Sequence, residues 1–377
     1  MILEKKGEGK KRDVVVDIIK GIGIFCMVAG HCGSPITKFV YLFHMAIFFI
    51  ASGYCYKDSS SDNKNSLFGF IKRKFVMLWL PYVVWTAIYS CLHNFFLDIN
   101  VYTDNPLILE QESIQHMSLI YAWSVTDIVK NIIKSFMFRG ITRIGGALWF
   151  VATLMEITVL YCIIDFIIKK LIKKDKVLCV QAIFSVLFLC LGYLCSLKGI
   201  SFMGIEKVLS CYILFYGGYV LKKKNVYIKE RESYFHIAVL TICFAILLVL
   251  NRFGSVSLNI NSYENPLFFM FASFVGWQFL YEIAFLVKRI DILKRSLVCM
   301  GQNTMSIVIF HFLCFKIVSY IGVVIKGQSR FLVAAHPVLY RDGYWWMAYM
   351  FVGLVIPIML SVMWKNVKEK IVSICTN

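Results

Sequence analysis

Long apolar runs separated by short polar, basic turns set the rhythm of this chain. A hydrocarbon core about 30 Å thick needs roughly 20 apolar residues per helix. Ten stretches meet that length: 14–32, 36–56, 75–96, 146–168, 177–197, 203–221, 235–251, 264–287, 297–325 and 344–364. The first holds ionisable residues, and the ninth is long enough to tilt or break. The pattern predicts an all-α polytopic transmembrane helical bundle of about ten spans, with residues 1–377 forming one membrane-embedded domain. The segment 97–145 is too long for a plain connector. In it Ile128, Ile132, Ile133 and Phe136 recur near helical spacing. That predicts a short amphipathic helix between Trp123 and Phe138, on the outer face beside the mouth of any cavity. No internal or inverted repeat is visible, which weakens a transporter reading.

Composition narrows the class. With 59% hydrophobic and 16% charged residues and a mean hydropathy of +0.71, a soluble enzyme, a disordered chain and a collagen-like fibre are excluded, and an outer-membrane barrel is disfavoured. A formal charge of +18 would suggest nucleic acid in a soluble protein. Here the distribution explains it. If the N-terminus is inside, the inner segments hold 27 Lys/Arg and the outer side 10, counting Lys38 at the outer end of the second stretch. This asymmetry predicts a multi-pass membrane protein with both termini cytoplasmic; the plasma (inner) membrane is the expected location, and no nucleic-acid partner is expected. The first apolar stretch has Asp17 and Lys20 and lacks a small-residue cleavage site, so it reads as a retained span. Cys26, Cys55, Cys91, Cys162, Cys179, Cys211, Cys243, Cys299 and Cys314 lie in apolar runs without ligand spacing. They read as buried small hydrophobes, and no metal is expected.

Ionisable residues at membrane depth are costly and point to function. Asp17 and Lys20 are i, i+3 and can pair. Lys20 and His31 are eleven residues apart, which returns to within about 20° and places them roughly 16 Å apart along one helix face. Gly21, Gly23 and Gly30 allow a ligand or helix close to that face. A neutral imidazole is well suited to take a proton from a hydroxyl near neutral pH. The competing reading is a snorkelling lysine and a packing histidine. His44, Glu156, Asn303 and His311 are further intramembrane candidates, with His311 favoured as a structural hydrogen bonder. Glu282 and Lys316 are expected to be interfacial or paired. His93, His116, His236 and His336 fall at span ends or in loops and are expected to be solvated.

Four patterns carry a resemblance. The first runs from Asp17 through Lys20 and Gly21 to Gly30-His31; the second is Phe43-His44-Met45 through Ser52-Gly53-Tyr54. The third is Lys72-Arg73-Lys74 followed by Leu80-Pro81-Tyr82, and the fourth Gly146-Ala147-Leu148-Trp149-Phe150. A weaker one joins Gly301-Gln302-Asn303 to His311. In this order, over about residues 12–315, the chain resembles the acyltransferase-3 family of integral membrane acyltransferases, in particular its polysaccharide and fucose O-acetyltransferase-like members. Ala46 stands where the family usually has proline, Lys20 where many members have arginine, and Arg73 lacks its usual paired arginine.

The resemblance implies transfer of an acyl group, usually acetyl, from cytoplasmic acyl-CoA to a hydroxyl of a cell-envelope glycan or lipid-linked sugar. Acetyl-CoA would be the donor, and membrane lipid the surrounding partner. His31 would act as general base or carry the acyl group transiently; Lys20 would help hold the donor, and Asp17 completes the expected catalytic set. Lys72, Arg73 and Lys74 would meet the anionic CoA. His44, Tyr54, Trp149, Glu156, Asn303 and His311 are the expected substrate contacts. Ser34, Tyr54, Trp149 and Asn303 are the candidate oxyanion donors. A permease with an intramembrane proton relay, or an inactive membrane anchor of the same fold, are the rival readings.

Overall fold

A computed structural model describes residues 13–110, 118–227 and 232–376. His116 and the basic segment 1–12 lie outside the described residues. The first helix, α1 (Val14–His31), starts where the Asp13 carboxylate accepts from the amides of Val15 (3.1 Å) and Val16 (3.4 Å). It stops just before Gly33, which has φ of +75°, and Pro35. The second apolar stretch divides into α2 (Thr37–Tyr41) and α3 (Ala46–Tyr54). Between them His44 turns its ring Nδ1 onto the Val40 carbonyl, 2.9 Å away.

Next come α4 (Lys64–Lys74), a wide helical turn over Phe75–Trp79, α5 (Leu80–Cys91) and α6 (His93–Asp98). The long segment that follows carries α7 (Val125–Phe136), opened by a capping box between Ser124 and Asp127. It leans on α5 and the wide turn before it: Trp79 Nε1 donates to Phe136 O at 2.9 Å and Asn131 Nδ2 to Ser90 Oγ at 2.8 Å. The remaining elements are α8 (Trp149–Leu171), α9 (Val177–Leu197), α10 (Ile205–Lys223), α11 (Ser233–Phe253), a two-residue hairpin β1 (Val256–Ser257) and β2 (Ser262–Tyr263), α12 (Pro266–Val287), α13 (Asp291–Gln302), α14 (Thr304–Ile325) and α15 (Trp345–Thr376). Among the described residues, eight helices or helix pairs are long and apolar enough to cross a membrane. The protein is an all-α, multi-pass membrane bundle.

The ninth apolar stretch breaks at Asn303. Its Nδ2 donates to Cys299 O (2.8 Å), and its Oδ1 accepts from Ser361 Oγ (2.7 Å) and Lys365 Nζ (3.0 Å). The break lets α13 lie flat against α1. A Cβ on Gly21 would meet Leu297 O at 2.0 Å, and one on Gly301 would meet Asp17 O at 2.0 Å, so the two backbones touch at reciprocal glycines. Gly21→Ala is therefore expected to cost about 1–3 kcal/mol by overpacking. Thermal unfolding in detergent checks this, and an unshifted midpoint would mean that the helix pair separates freely.

Several expectations need correction. Cys91 and Cys179 are exposed on the bundle surface, not buried, because their helix faces point away from the neighbouring helices; Cys55 is exposed toward a cavity, and Cys299 is only half-buried. His93 is buried, stacked on Trp123 (3.8 Å between centroids) with Nε2 3.0 Å from Tyr121 O, because the 97–145 segment folds back over α6. His236 is buried and paired with Glu282, which also accepts from Gln278 Nε2 at 2.5 Å. Lys316 is buried too, with Nζ on two loop carbonyls.

Candidate active site

Three cavities follow one another along α1. The first, about 230 Å³, is lined by Lys20, Ser52, Cys55, Lys74, Phe150 and Val308 among others. The second is a neck of about 50 Å³ that shares Phe150 and Val308 with the first and adds Met27, His31, His44 and Trp149. The third, about 550 Å³, shares His31, Tyr41, Trp149 and Asn259 with the neck and also has Ser34 and His336 on its walls. Lys20, Met27 and His31 thus line the series in turn. Steps of seven and four residues keep them on one wall of a helix unbroken from Val14 to His31. Loops 32–36, 143–148, 254–265 and 326–344 converge at the His31 end.

At that end the imidazole of His31 is held on several sides. Its Nδ1 lies 3.3 Å from the Tyr41 hydroxyl. Its ring stacks on His311 (5.6 Å, 28°) and meets the ring of Phe312 edge-on (5.0 Å). His311 is itself fully buried, with Nδ1 2.8 Å from Ile307 O, so it stands behind His31 as a packing partner. Rigid neighbours of this kind fix the direction of the free ring nitrogen. His44 lines the neck, and its ring sits 4.9 Å from Tyr41. Trp149 borders both the neck and the larger cavity, with Lys207 Nζ 5.4 Å above its ring.

Other expected site residues lie elsewhere. Asp17 forms no ion pair with Lys20; its carboxylate accepts from Gln302 Nε2 at 3.4 Å, on the α13 side. Lys74 reaches the Lys20 cavity, whereas Lys72 and Arg73 are exposed at the end of α4. Tyr54 lines a separate cavity of about 260 Å³ with Asp13, Lys222, Trp277, Tyr281 and Lys288. It ends α3 one residue before Cys55, and a step of about 100° aims it away from the Lys20 side. Asn303 is taken up by the α13–α14 break. Glu156 does not line the His31 cavity; it meets Arg139 Nη2 at 3.5 Å. Sequence reasoning missed Tyr41 and His336. Tyr41 lies ten residues from His31, and only the α2–α3 break turns it inward. His336 sits in a loop with no periodic signal.

The fold and the cavities define a polytopic membrane protein in which a lysine-lined pocket, a small neck and an imidazole-lined cavity succeed one another along α1. The family model Acyl_transf_3, described as an acyltransferase domain, matches residues 13–364. The chain belongs to this acyltransferase-3 family and is a membrane acyltransferase. Neither the comparison with curated proteins nor that with solved structures gives a match.

Proposed function

We propose that the protein is an O-acyltransferase that carries an acyl group, acetyl in the first instance, from cytoplasmic acyl-CoA to a hydroxyl of a cell-envelope glycan or lipid-linked sugar. The observation that carries this reading is the run of cavities along α1, with Lys20 in the first and His31 between the second and third. The donor enters at the Lys20 end. There the ammonium groups of Lys20 and Lys74 meet its phosphates or amides, and Phe150 and Val308 border the path of the pantetheine arm. In this reading the arm, and not the nucleotide, enters the neck, whose volume is only about 50 Å³. The acceptor enters at the His31 end, where the larger cavity offers Trp149 as a flat apolar platform.

The reaction then balances simply. With His31 Nδ1–H donating to the Tyr41 oxygen, Nε2 carries the free lone pair. The acceptor hydroxyl gives its proton to Nε2 as its oxygen attacks the thioester carbonyl. The C–O bond forms, the C–S bond breaks, and the departing CoA thiolate takes the proton back from His31. Ser34 Oγ already donates to Ala29 O at 2.8 Å, which leaves Trp149 as the candidate oxyanion donor of the expected set on the cavity wall.

Lys20→Ala tests the donor end. Losing one charge-assisted contact is expected to raise the KM for acetyl-CoA by about tenfold or more, with a smaller change in kcat. Steady-state kinetics of the purified protein with labelled acetyl-CoA reads this. An unchanged donor KM would remove Lys20 from the donor site.

A further inference from the structure

The large cavity beyond His31 has a second imidazole on its wall. His336 belongs to the loop between α14 and α15, yet it lines the same space of about 550 Å³ as His31 and Trp149. Its ring centroid lies 4.6 Å from that of Phe312, which is in turn 5.0 Å from His31. Both imidazoles therefore pack against the same phenyl ring. Among the described residues, neither nitrogen of His336 has a hydrogen-bond partner. Nδ1 is buried, which leaves Nε2 as the nitrogen open to the cavity.

The loop that carries this ring is pinned. Lys316, buried in α14, donates from Nζ to Val333 O (3.1 Å) and Ala335 O (2.5 Å), three residues and one residue before His336. An ammonium taken out of water needs such replacement bonds, so the lysine and the loop hold each other in place. Beyond the ring, the amides of Leu339 and Tyr340 lie 3.3 Å and 3.4 Å from the Tyr349 hydroxyl. A buried lysine used as a strut for a two-carbonyl stretch is costly, and its effect here is to fix the position of one imidazole. Burial, with the charges of Lys316 and Arg143 nearby, holds the pKa of His336 well below the ordinary imidazole range. At neutral pH the ring is uncharged and offers one donor and one acceptor.

We propose that His336 is an acceptor-binding residue, whose Nε2 hydrogen-bonds a hydroxyl of the incoming sugar and so turns the hydroxyl to be acylated toward His31. The inference rests on the acyl-transfer reading. A neutral imidazole matches a sugar hydroxyl, itself a donor and an acceptor, and Trp149 in the same cavity suits the apolar face of a pyranose ring. The donor end is separate, since Lys20 and Lys74 line a different cavity.

The test uses the full-length chain carrying His336→Ala or His336→Gln, with two readouts: O-acyl groups on envelope glycans by mass spectrometry, and the Kd of the purified protein for CoA by titration calorimetry. His336→Ala is expected to lower glycan acylation by about tenfold while the Kd for CoA stays within about twofold. His336→Gln keeps an amide donor and acceptor and is expected to recover part of the loss. Unchanged glycan acylation in His336→Ala would overturn the assignment. So would a Kd for CoA that weakens in step with acylation, since that is the mark of a damaged fold. If wild-type cells and cells lacking the protein carry the same glycan acylation, or the wild-type protein does not bind CoA, the acyl-transfer reading itself fails and this inference with it.

Discussion

His31→Ala is expected to lower acyl transfer by about a hundred- to ten-thousandfold, the range over which a positioned general base acts. The residue sits at the C-terminal end of α1, half-buried, and its side chain faces two cavities. Removing the ring enlarges an existing void and leaves the helix contacts of Gly21 and Gly301 untouched. The fold should therefore survive, and the Kd for CoA should change little, because Lys20 lies roughly 16 Å away along the helix. Labelled acetyl-CoA and the purified variant supply the measurement. Transfer at the wild-type rate would take His31 out of the mechanism.

Asp165→Ala is expected to cost about 3 kcal/mol of stability, at the lower end for a broken buried ion pair because Lys169 keeps partial access to solvent. Asp165 is wholly buried in α8. It accepts from Ser61 Oγ (2.5 Å), Tyr56 OH (3.2 Å) and Gln181 Nε2 (3.3 Å), and it pairs with Lys169 Nζ at 3.0 Å. Alanine would leave Gln181 Nε2 without its acceptor and take one bond each from Ser61, Tyr56 and Lys169, whose ammonium keeps Asp58 O, Ser61 Oγ and Asp62. Asp165→Asn keeps an acceptor oxygen and should cost less. The consequence reaches the site, because the same bonds anchor residues 56–61, which lead into α4 and so to Lys74 at the donor cavity. A lowered unfolding midpoint together with a weaker donor KM is the expected pair of results. An unshifted midpoint would show that the network contributes nothing.

Much of this architecture is legible in the apolar rhythm of the chain, because a helix in lipid must satisfy its backbone internally and needs a fixed length. The Lys20–His31 spacing is legible for the same reason: three turns of unbroken helix leave no freedom in where the two side chains point. What escapes the sequence are contacts made by breaks and loops. No proline or glycine marks the break at Leu42–Met45, so nothing announces that Tyr41 will turn onto His31. Asn303 reads as a polar ligand until the α13–α14 junction uses both ends of its amide. Tyr54 and Cys55 are neighbours in a single motif, yet they serve different cavities. Asp165 shows only an i, i+4 lysine in the sequence; its other partners come from residues more than a hundred positions earlier and from α9. His336 and Lys316 look like a loop histidine and a stray intramembrane lysine until the fold brings them together at one cavity.

The most direct measurement is a structure of the His31→Ala variant bound to acetyl-CoA, in which turnover is blocked and the donor is trapped. A pantetheine arm that passes Lys20 and threads the neck between Phe150 and Val308, with its acetyl carbonyl beside position 31, is the expected result. An acetyl group found outside the α1 cavities, or on the far side of α1 from Lys20, would contradict it.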